Sequence, residues 1–393
     1  MAAALFLLPL SGCSIAKTLL EDTAAPKTTP NNASIVIMTD AGQSGSTATP
    51  RIISTPSADE DSDAVAASPD AASPDLSNSP TTGRPLPEGA IYRPVLAVID
   101  NLAQARPQTG LMLADIVYEF PLDRSDHNTI YLAVFSDEIP LRIGPIRDSR
   151  AYLANTALEW GGLYLSLGDP GQTDKDYPLL AASGLHFRAQ NSGNAADFFY
   201  RDKTITSAEE HTQFFKLLDY TESDYQYTAT PSTQRFSFET GVTYEKGKSF
   251  VSVGLPFTSS DSNRVVYTYS LSENCLKRSD KNSKNVLSES STLTPTEDVI
   301  GYVNEPITVQ NLIVQYVRVS SYDTTYRNIA VIGSGDCDYF INGQHVTGSW
   351  SRPTLNDPTT YKLYDGSIIR LEPGNTWIEM MPSTRAIKIR YEN

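Results

Sequence analysis

Between about residue 89 and residue 228, short apolar runs alternate with stretches of helical period. Val95 to Ile99 is a continuous apolar run, as a strand buried on both faces would be. Ile116 to Phe120, Ile130 to Phe135 and Leu163 to Leu167 read as further strands. Asp148 is placed to N-cap a helix through Trp160, with Ala151, Ala154 and Leu158 on one face. Ser207-Ala208-Glu209-Glu210 has capping-box spacing ahead of Phe214, Phe215, Leu217 and Leu218. The alternation predicts an α/β domain over 89–228. From about residue 235 the helical period vanishes. Val265 to Tyr269, Leu312 to Val319, Ile329 to Ile332, Ile368 to Leu371 and Ile387 to Tyr391 are β-rich runs, with turn signals at Asn342-Gly343, Asp365-Gly366 and Pro373-Gly374. They predict a mainly-β, antiparallel domain over 235–393.

Upstream of residue 89 the pattern is different. The apolar run to Leu10 is too short to cross a bilayer, which takes about 20 residues. It fits the apolar region of a signal peptide over 1–12. Leu10-Ser11-Gly12-Cys13 looks like a bacterial lipobox, in which the thiol of Cys13 receives diacylglycerol. The basic stretch that should precede it is missing, which predicts a misassigned start or a truncated chain. No later stretch is apolar for long enough to span a membrane, so no transmembrane helix is predicted.

From Ser14 to Glu88 no aromatic residue occurs. Of the 30 residues from Arg51 to Pro80, 23 are Ser, Thr, Pro, Ala or Asp. Such a segment cannot bury enough apolar surface to offset chain entropy, so residues 13–88 are expected to form a disordered tether. A flexible chain of that length has an r.m.s. reach of roughly 50 Å. The mature protein is thus expected on the outer face of the cytoplasmic membrane, lipid-anchored, with no cofactor beyond the diacylglycerol on Cys13.

Charge narrows the partners. Lys and Arg number 31 against 46 Asp and Glu, a net charge of −15. That excess argues against a broad nucleic-acid surface, which needs clustered positive charge. No P-loop, dinucleotide fingerprint, His-Glu-x-x-His or Gly-x-Ser-x-Gly element is present. The four histidines, at 127, 186, 211 and 345, are scattered. Cys275 and Cys337 have no metal-ligand spacing, and in an oxidising exterior they can pair if the fold brings them close. Asp169, Asp174 and Asp176 crowd one loop, read as a solvated acidic loop rather than a calcium site.

One constellation stands out in this acidic chain. Arg142-Ile143-Gly144-Pro145-Ile146-Arg147-Asp148-Ser149-Arg150 sets three arginines around a Gly-Pro turn that feeds a helix start. Helix N-termini and guanidinium forks both favour anions. Arg106, Arg124, Arg142, Arg147 and Arg150 are therefore candidate anion-binding residues. The structural alternative is that these arginines pair with Asp137, Glu138, Asp148 and other acids.

Several motifs occur in a characteristic order. Arg93-Pro94 opens the first strand, Ala105-Arg106-Pro107-Gln108-Thr109-Gly110-Leu111 follows, and then Ala114-Asp115-Ile116-Val117-Tyr118-Glu119 and Ile143-Gly144-Pro145-Ile146-Arg147. Further on come Gly348-Ser349-Trp350-Ser351-Arg352 and Leu371-Glu372-Pro373-Gly374-Asn375-Thr376-Trp377. Over about 90 to 382 the chain resembles the YerB-like family of bacterial lipoproteins, a two-part domain of unknown function. The resemblance implies a surface lipoprotein, of a kind common in Gram-positive bacteria, with no assigned activity. The chain departs from the family at Pro121 to Asp126, at Asp148-Ser149-Arg150 and at Glu210-His211-Thr212.

A second, shorter resemblance is to LytR-CpsA-Psr phosphotransferases, which attach glycopolymers to the cell wall. It rests on Arg124-Ser125-Asp126 and Ile146-Arg147-Asp148. It implies arginines that hold a lipid pyrophosphate, and Asp126 and Asp148 as magnesium ligands. Two functional expectations result. The first is a non-catalytic envelope module that binds a wall polymer or an envelope protein. The alternative is a magnesium-dependent phosphotransferase whose Arg124, Asp126, Arg147 and Asp148 converge in one cleft.

Overall fold

In the computed structural model the run at Val95 forms strand β1 (Val95–Asp100), buried along its whole length. The structure describes residues 76–122, 128–168, 186–190, 193–205, 207–223, 229–232, 235–257, 264–281, 287–296, 301–321 and 327–392. The signal-peptide region, Cys13, the tether up to residue 75, Arg124, Asp126, His127 and Asp169, Asp174 and Asp176 lie outside the described residues. Side chains of β1 alternate. Leu96 and Val98 enter one core, and Val95, Ala97 and Ile99 enter a second core on the opposite face.

Strands β2 (Ile116–Pro121) and β3 (Thr129–Phe135) form an antiparallel pair, and β3 lies antiparallel to β1. On the other side of β1, β4 (Leu163–Ser166) and β5 (His186–Ala189) continue in parallel. Helix α1 (Ala151–Leu158) buries Tyr152, Leu153, Ala154 and Ala157 against the Leu96 face. Helix α2 (Leu217–Ser223) buries Leu217 and Tyr220 in the core of the other face.

The later strands are β6 (Lys248–Pro256), β7 (Arg264–Ser270), β8 (Cys275–Lys281), β9 (Leu287–Glu289), β10 (Asn311–Val317), β11 (Gly333–Ile341), β12 (Gln344–Arg352) and β13 (Thr376–Pro382). The main sheet has sixteen strands among the described residues; thirteen run in the order β9-β8-β7-β6-β12-β11-β10-β13-β2-β3-β1-β4-β5, and three more pair off this path. The regions 89–228 and 235–393, expected as separate domains, therefore share one sheet. The join is β13 parallel to β2, pairing Thr376 with Ile116 through to Glu379 with Glu119. Every residue of both strands is buried. A buried strand edge would leave backbone N–H and C=O groups without partners, and the two strands meet that need for each other.

The fold is mostly β, and the expected α/β character of 89–228 is not clearly supported. Among the described residues only two α-helices form, of eight and seven residues. Arg150, not Asp148, is the N-cap of α1, with φ −135° and ψ 153°. The chain before it is held extended, because Arg147 N donates to Val98 O and Leu167 N donates to Arg147 O. The Ser207 capping box does not start a helix either. Glu209–His211 is a single 3-10 turn, and Phe214 and Phe215 go into the strand Gln213–Phe215. The run Leu312 to Val319 breaks at Arg318, and strand structure ends at Ile329 before β11 begins at Gly333. The turn at Asn342-Gly343 joins β11 to β12 with φ of 48° and 73°, which glycine and asparagine tolerate best.

Residues 76–88, assigned to the tether, pack on the sheet instead. Ser79, Thr81 and Thr82 are buried. Ser79 Oγ donates to Asp137 Oδ1 at 2.6 Å, Thr81 Oγ1 to Asp115 Oδ2 at 2.6 Å, and the Thr82 hydroxyl to Asp137. Burial, with Asp137 adding to it, holds Asp115 well above the usual carboxylate range, and burial raises Asp137 as well. Three short hydroxyl side chains serve these two carboxylates, and composition alone does not reveal it. Cys275 and Cys337 are free thiols, the second buried. No helix among the described residues is long and apolar enough to cross a membrane.

Candidate functional site

The chain leaves β1 at Asp100 and Asn101, whose side chains serve different surroundings. Asp100 is fully buried and accepts from Leu102 N at 2.8 Å. Its Oδ2 meets His211 Nδ1 at 2.8 Å and Arg147 Nε at 3.6 Å. Asn101 Nδ2 donates to Thr129 Oγ1 at 2.7 Å. Asn101 Oδ1 accepts from Arg106 Nε at 3.1 Å and Gln108 Nε2 at 2.9 Å.

Beside Asn101 opens a cleft of about 370 Å³, lined by Arg106, Gln108, Tyr131, Arg278, Asp280 and Ser290 among others. Its base is an ionic network. Arg278, with a side chain only 1% exposed, donates through Nη2 to both oxygens of Glu119 at 3.2 and 2.9 Å. Through Nη1 it donates to Asp280 Oδ2 at 2.7 Å. Arg106 Nη1 reaches the same oxygen at 3.2 Å, and Ser290 Oγ donates to it at 2.6 Å. Burial opposes the charge of Asp280, but Arg278 and then Arg106 override it and hold the carboxyl below its ordinary value.

Glu379 lies beside Glu119 at paired positions of β13 and β2. It accepts a hydrogen bond from Tyr267 Oη, and its Oε2 is buried without a hydrogen-bond partner among the described residues. Burial, then the charge of Glu119, pushes its carboxyl well above the usual range. Glu379 is therefore favoured in its neutral form beside the Glu119–Arg278 pair, and two guanidiniums face the carboxylates of Glu119 and Asp280 at the base of the cleft.

Of the other sequence-predicted arginines, the described Arg142, Arg147 and Arg150 do not line this cleft. Arg142 Nη1 donates to Tyr200 Oη and Asp202 Oδ2, both at 2.9 Å, and the guanidinium lies 4.5 Å from the centre of the Phe214 ring. Gly144 takes a φ of 142°, and a Cβ there would meet that ring at 2.8 Å. Arg147 is engaged by Asp100 and by Glu210, the latter at 3.6 Å. Arg150 Nη1 donates to the Ser149 carbonyl at 2.6 Å. Asp148 lines a separate, shallow pocket with Gln190, Glu209, Glu210 and Gln213. Arg142 and Arg147 thus match the structural alternative, paired with acids other than Asp137 and Glu138.

Of the four residues the phosphotransferase arrangement requires, Arg147 and Asp148 are described, and Arg147 is held by two carboxylates. No group of three or more His, Cys, Asp or Glu among the described residues is placed to hold a metal ion. Of the residues of the cleft and its base, the sequence pattern points to Arg106 as an anion-binding candidate but not to Arg278, Asp280, Glu119 or Glu379. A signal was present: Glu119 and Glu379 each interrupt an apolar run, in Ile-Val-Tyr-Glu-Phe and Trp-Ile-Glu-Met-Met. A charge inside such a run must find a partner or stay neutral.

Comparison with known proteins agrees with this architecture. Residues 81–228 match the family described as "Protein of unknown function (DUF3048) N-terminal domain", and residues 253–378 match its C-terminal domain. The chain belongs to this two-part, YerB-like family. It is 24% identical over 304 residues to a Bacillus subtilis (strain 168) protein named "Putative lipoprotein YerB", covering 76% of this chain and 83% of that one. A crystal structure of the YerB protein from Bacillus subtilis shares the fold, with a TM-score of 0.62 at 23% identity, over 79% of this chain and 99% of that chain.

Proposed function

We propose that the protein is a lipid-anchored, non-catalytic module on the outer face of the cytoplasmic membrane, holding a cell-wall polymer in the cleft of Arg106, Arg278 and Asp280. The cleft is the observation that carries this reading. Its volume falls within the range of small-molecule sites, and its lining is polar with an organised ionic base. Among the described residues no imidazole or thiol lines it, and its carboxylate, Asp280, is engaged by two arginines, so its groups suit binding better than proton transfer. The anchor is supported by Leu10 to Cys13, by the tether composition before residue 76, and by the lipoprotein name of the Bacillus relative.

Crosslinking and pull-down of the full chain from intact cells tests the reading. Recovery of wall glycopolymer is expected, and recovery of protein partners alone would replace the polymer with an envelope protein. Cys13→Ala should shift the chain from the membrane to the soluble fraction. Persistent membrane association of that variant would refute lipid anchoring at Cys13.

A further inference from the structure

We propose that the cleft selects a neutral, hydroxyl-rich sugar segment and not a phosphate or carboxylate; this deepens the polymer-binding reading above and rests on it. The guanidinium charges that face the cleft are already paired with carboxylates, and the unpartnered Arg278 Nε is buried away from solvent. Arg278 is shared between Glu119 and Asp280, and Arg106 is held by Asp280 and by both side-chain and backbone oxygens of Asn101. An incoming anion would find no unmatched positive charge and would lie against the carboxylate of Asp280.

The unused hydrogen-bonding capacity points the same way. Asp280 Oδ2 accepts three donors, whereas Oδ1 accepts none among the described residues. The Ser291 hydroxyl and the amide of Asn304, exposed on the rim, also have no hydrogen-bond partner among the described residues. An ionised phosphate or carboxylate only accepts hydrogen bonds, so it cannot use the free oxygen of Asp280. A sugar hydroxyl both donates and accepts. It can donate to Asp280 Oδ1 while accepting from Asn304, Ser291 or Arg106. Pro107 and Ile307 add apolar surface for the C–H face of a ring.

Calorimetry with the full chain in detergent micelles tests this. The probes are a neutral N-acetylhexosamine tetrasaccharide, an unsubstituted glycerol-phosphate oligomer, and the same oligomer carrying neutral sugar branches. The tetrasaccharide or the branched oligomer should bind, the first pointing to a glycan strand and the second to sugar side branches. The bare oligomer should not bind. Asn304→Ala and Ser291→Ala should each weaken the sugar-bearing probe about threefold or more, and Asp280→Asn about tenfold or more. A thermal melt checks the fold of Asp280→Asn; if that variant does not fold, the two rim variants decide. Binding of the bare oligomer, or sugar binding unaffected by the rim variants, overturns the inference while polymer binding stands. If no probe binds but wall polymer is still recovered from cells, the sugar inference alone falls. If neither occurs, the polymer-binding reading itself falls.

Discussion

Two buried arginines, Arg235 and Arg278, make the same kinds of contact and do different things. Arg235 Nη1 donates to Glu159 Oε2 at 2.7 Å, its Nη2 donates to the Glu159 carbonyl at 3.1 Å, and its guanidinium lies 3.8 Å from the centre of the Trp160 ring. Glu159 also accepts from Thr359 N at 2.6 Å and from Tyr118 Oη at 3.2 Å. Burial opposes the charge of Glu159, yet Arg235 and then Arg352 keep its carboxyl below the ordinary value. Both oxygens of that carboxylate have partners. Arg278 likewise pairs with a buried glutamate and lies 5.4 Å from the centre of the Trp377 ring. There, however, a second glutamate with an unpartnered oxygen adjoins the pair, and the partner Asp280 faces a cleft. The first cluster is a staple, with its polar atoms turned inward. The second keeps bonding capacity in reserve on Asp280, beside the cleft. Open hydrogen-bonding capacity beside a cavity, more than burial or ion pairing, separates a binding site from a strut.

Breaking the staple should have the largest effect. Arg235→Ala leaves Glu159 charged, buried and short of its main partner, and should cost about 3–5 kcal/mol in denaturant unfolding. Ligand affinity of the folded fraction should not change. A loss of affinity at full stability would show that the two clusters are coupled.

Glu379→Gln sharpens the contrast through pH. The folded-state carboxyl of Glu379 lies above its ordinary 4.5, raised by burial and by Glu119. Its contribution to stability is therefore complete below about 4.5 and is lost as pH rises through the folded value. The amide cannot ionise. The variant should gain on the native chain as pH increases, by roughly 1–3 kcal/mol at pH 9. Parallel melts from pH 5 to 9 measure the gap, and a constant gap would mean that burial does not hold Glu379 protonated.

At Asp115 and Asp137 the donors are hydroxyls instead of arginines, and burial keeps both carboxyls above their ordinary value. Thr82→Val removes one hydroxyl donor to Asp137 and should cost about 1–2 kcal/mol, read as a shift of the unfolding midpoint. An unchanged midpoint would place residues 76–88 outside the cooperative unit.

The smallest stability effect should come at the cleft mouth. The Arg106 side chain is 37% exposed, so Arg106→Ala should change stability by less than about 1 kcal/mol. Its effect should appear in sugar affinity instead. A larger loss of stability than at Arg235 would reverse the comparison.

Much of the local structure was legible in the chain. Val95 to Ile99 is apolar at every position and became a strand buried on both faces. Asn342-Gly343 is a hairpin turn because those residues tolerate positive φ. The helices were over-read where sheet pairing captured the backbone: Arg147 was expected one residue before a capping Asp148, yet its N–H bonds to Val98. The tether was drawn too long at its end because Ser79, Thr81 and Thr82 pack through hydrogen bonds, which no hydropathy pattern records. At the cleft, Arg106 was visible as one arginine among several. Its partner Asp280 is 174 residues away along the chain.

By itself the sequence determined the lipobox-like run ending at Cys13, the composition of the segment before residue 76, the periods of the strands, the turns between them and the supply of charged residues inside apolar runs. These are properties of neighbours along the chain, set by propensity and spacing. Only the tertiary structure decided that β2 pairs with β13, that Glu119 meets Glu379 and Arg278, and that Asp280 lines the cleft with one oxygen unpartnered among the described residues. A buried charge or strand edge can be satisfied by any complementary group the fold brings near, so its partner is chosen by packing across the whole chain, not by local sequence.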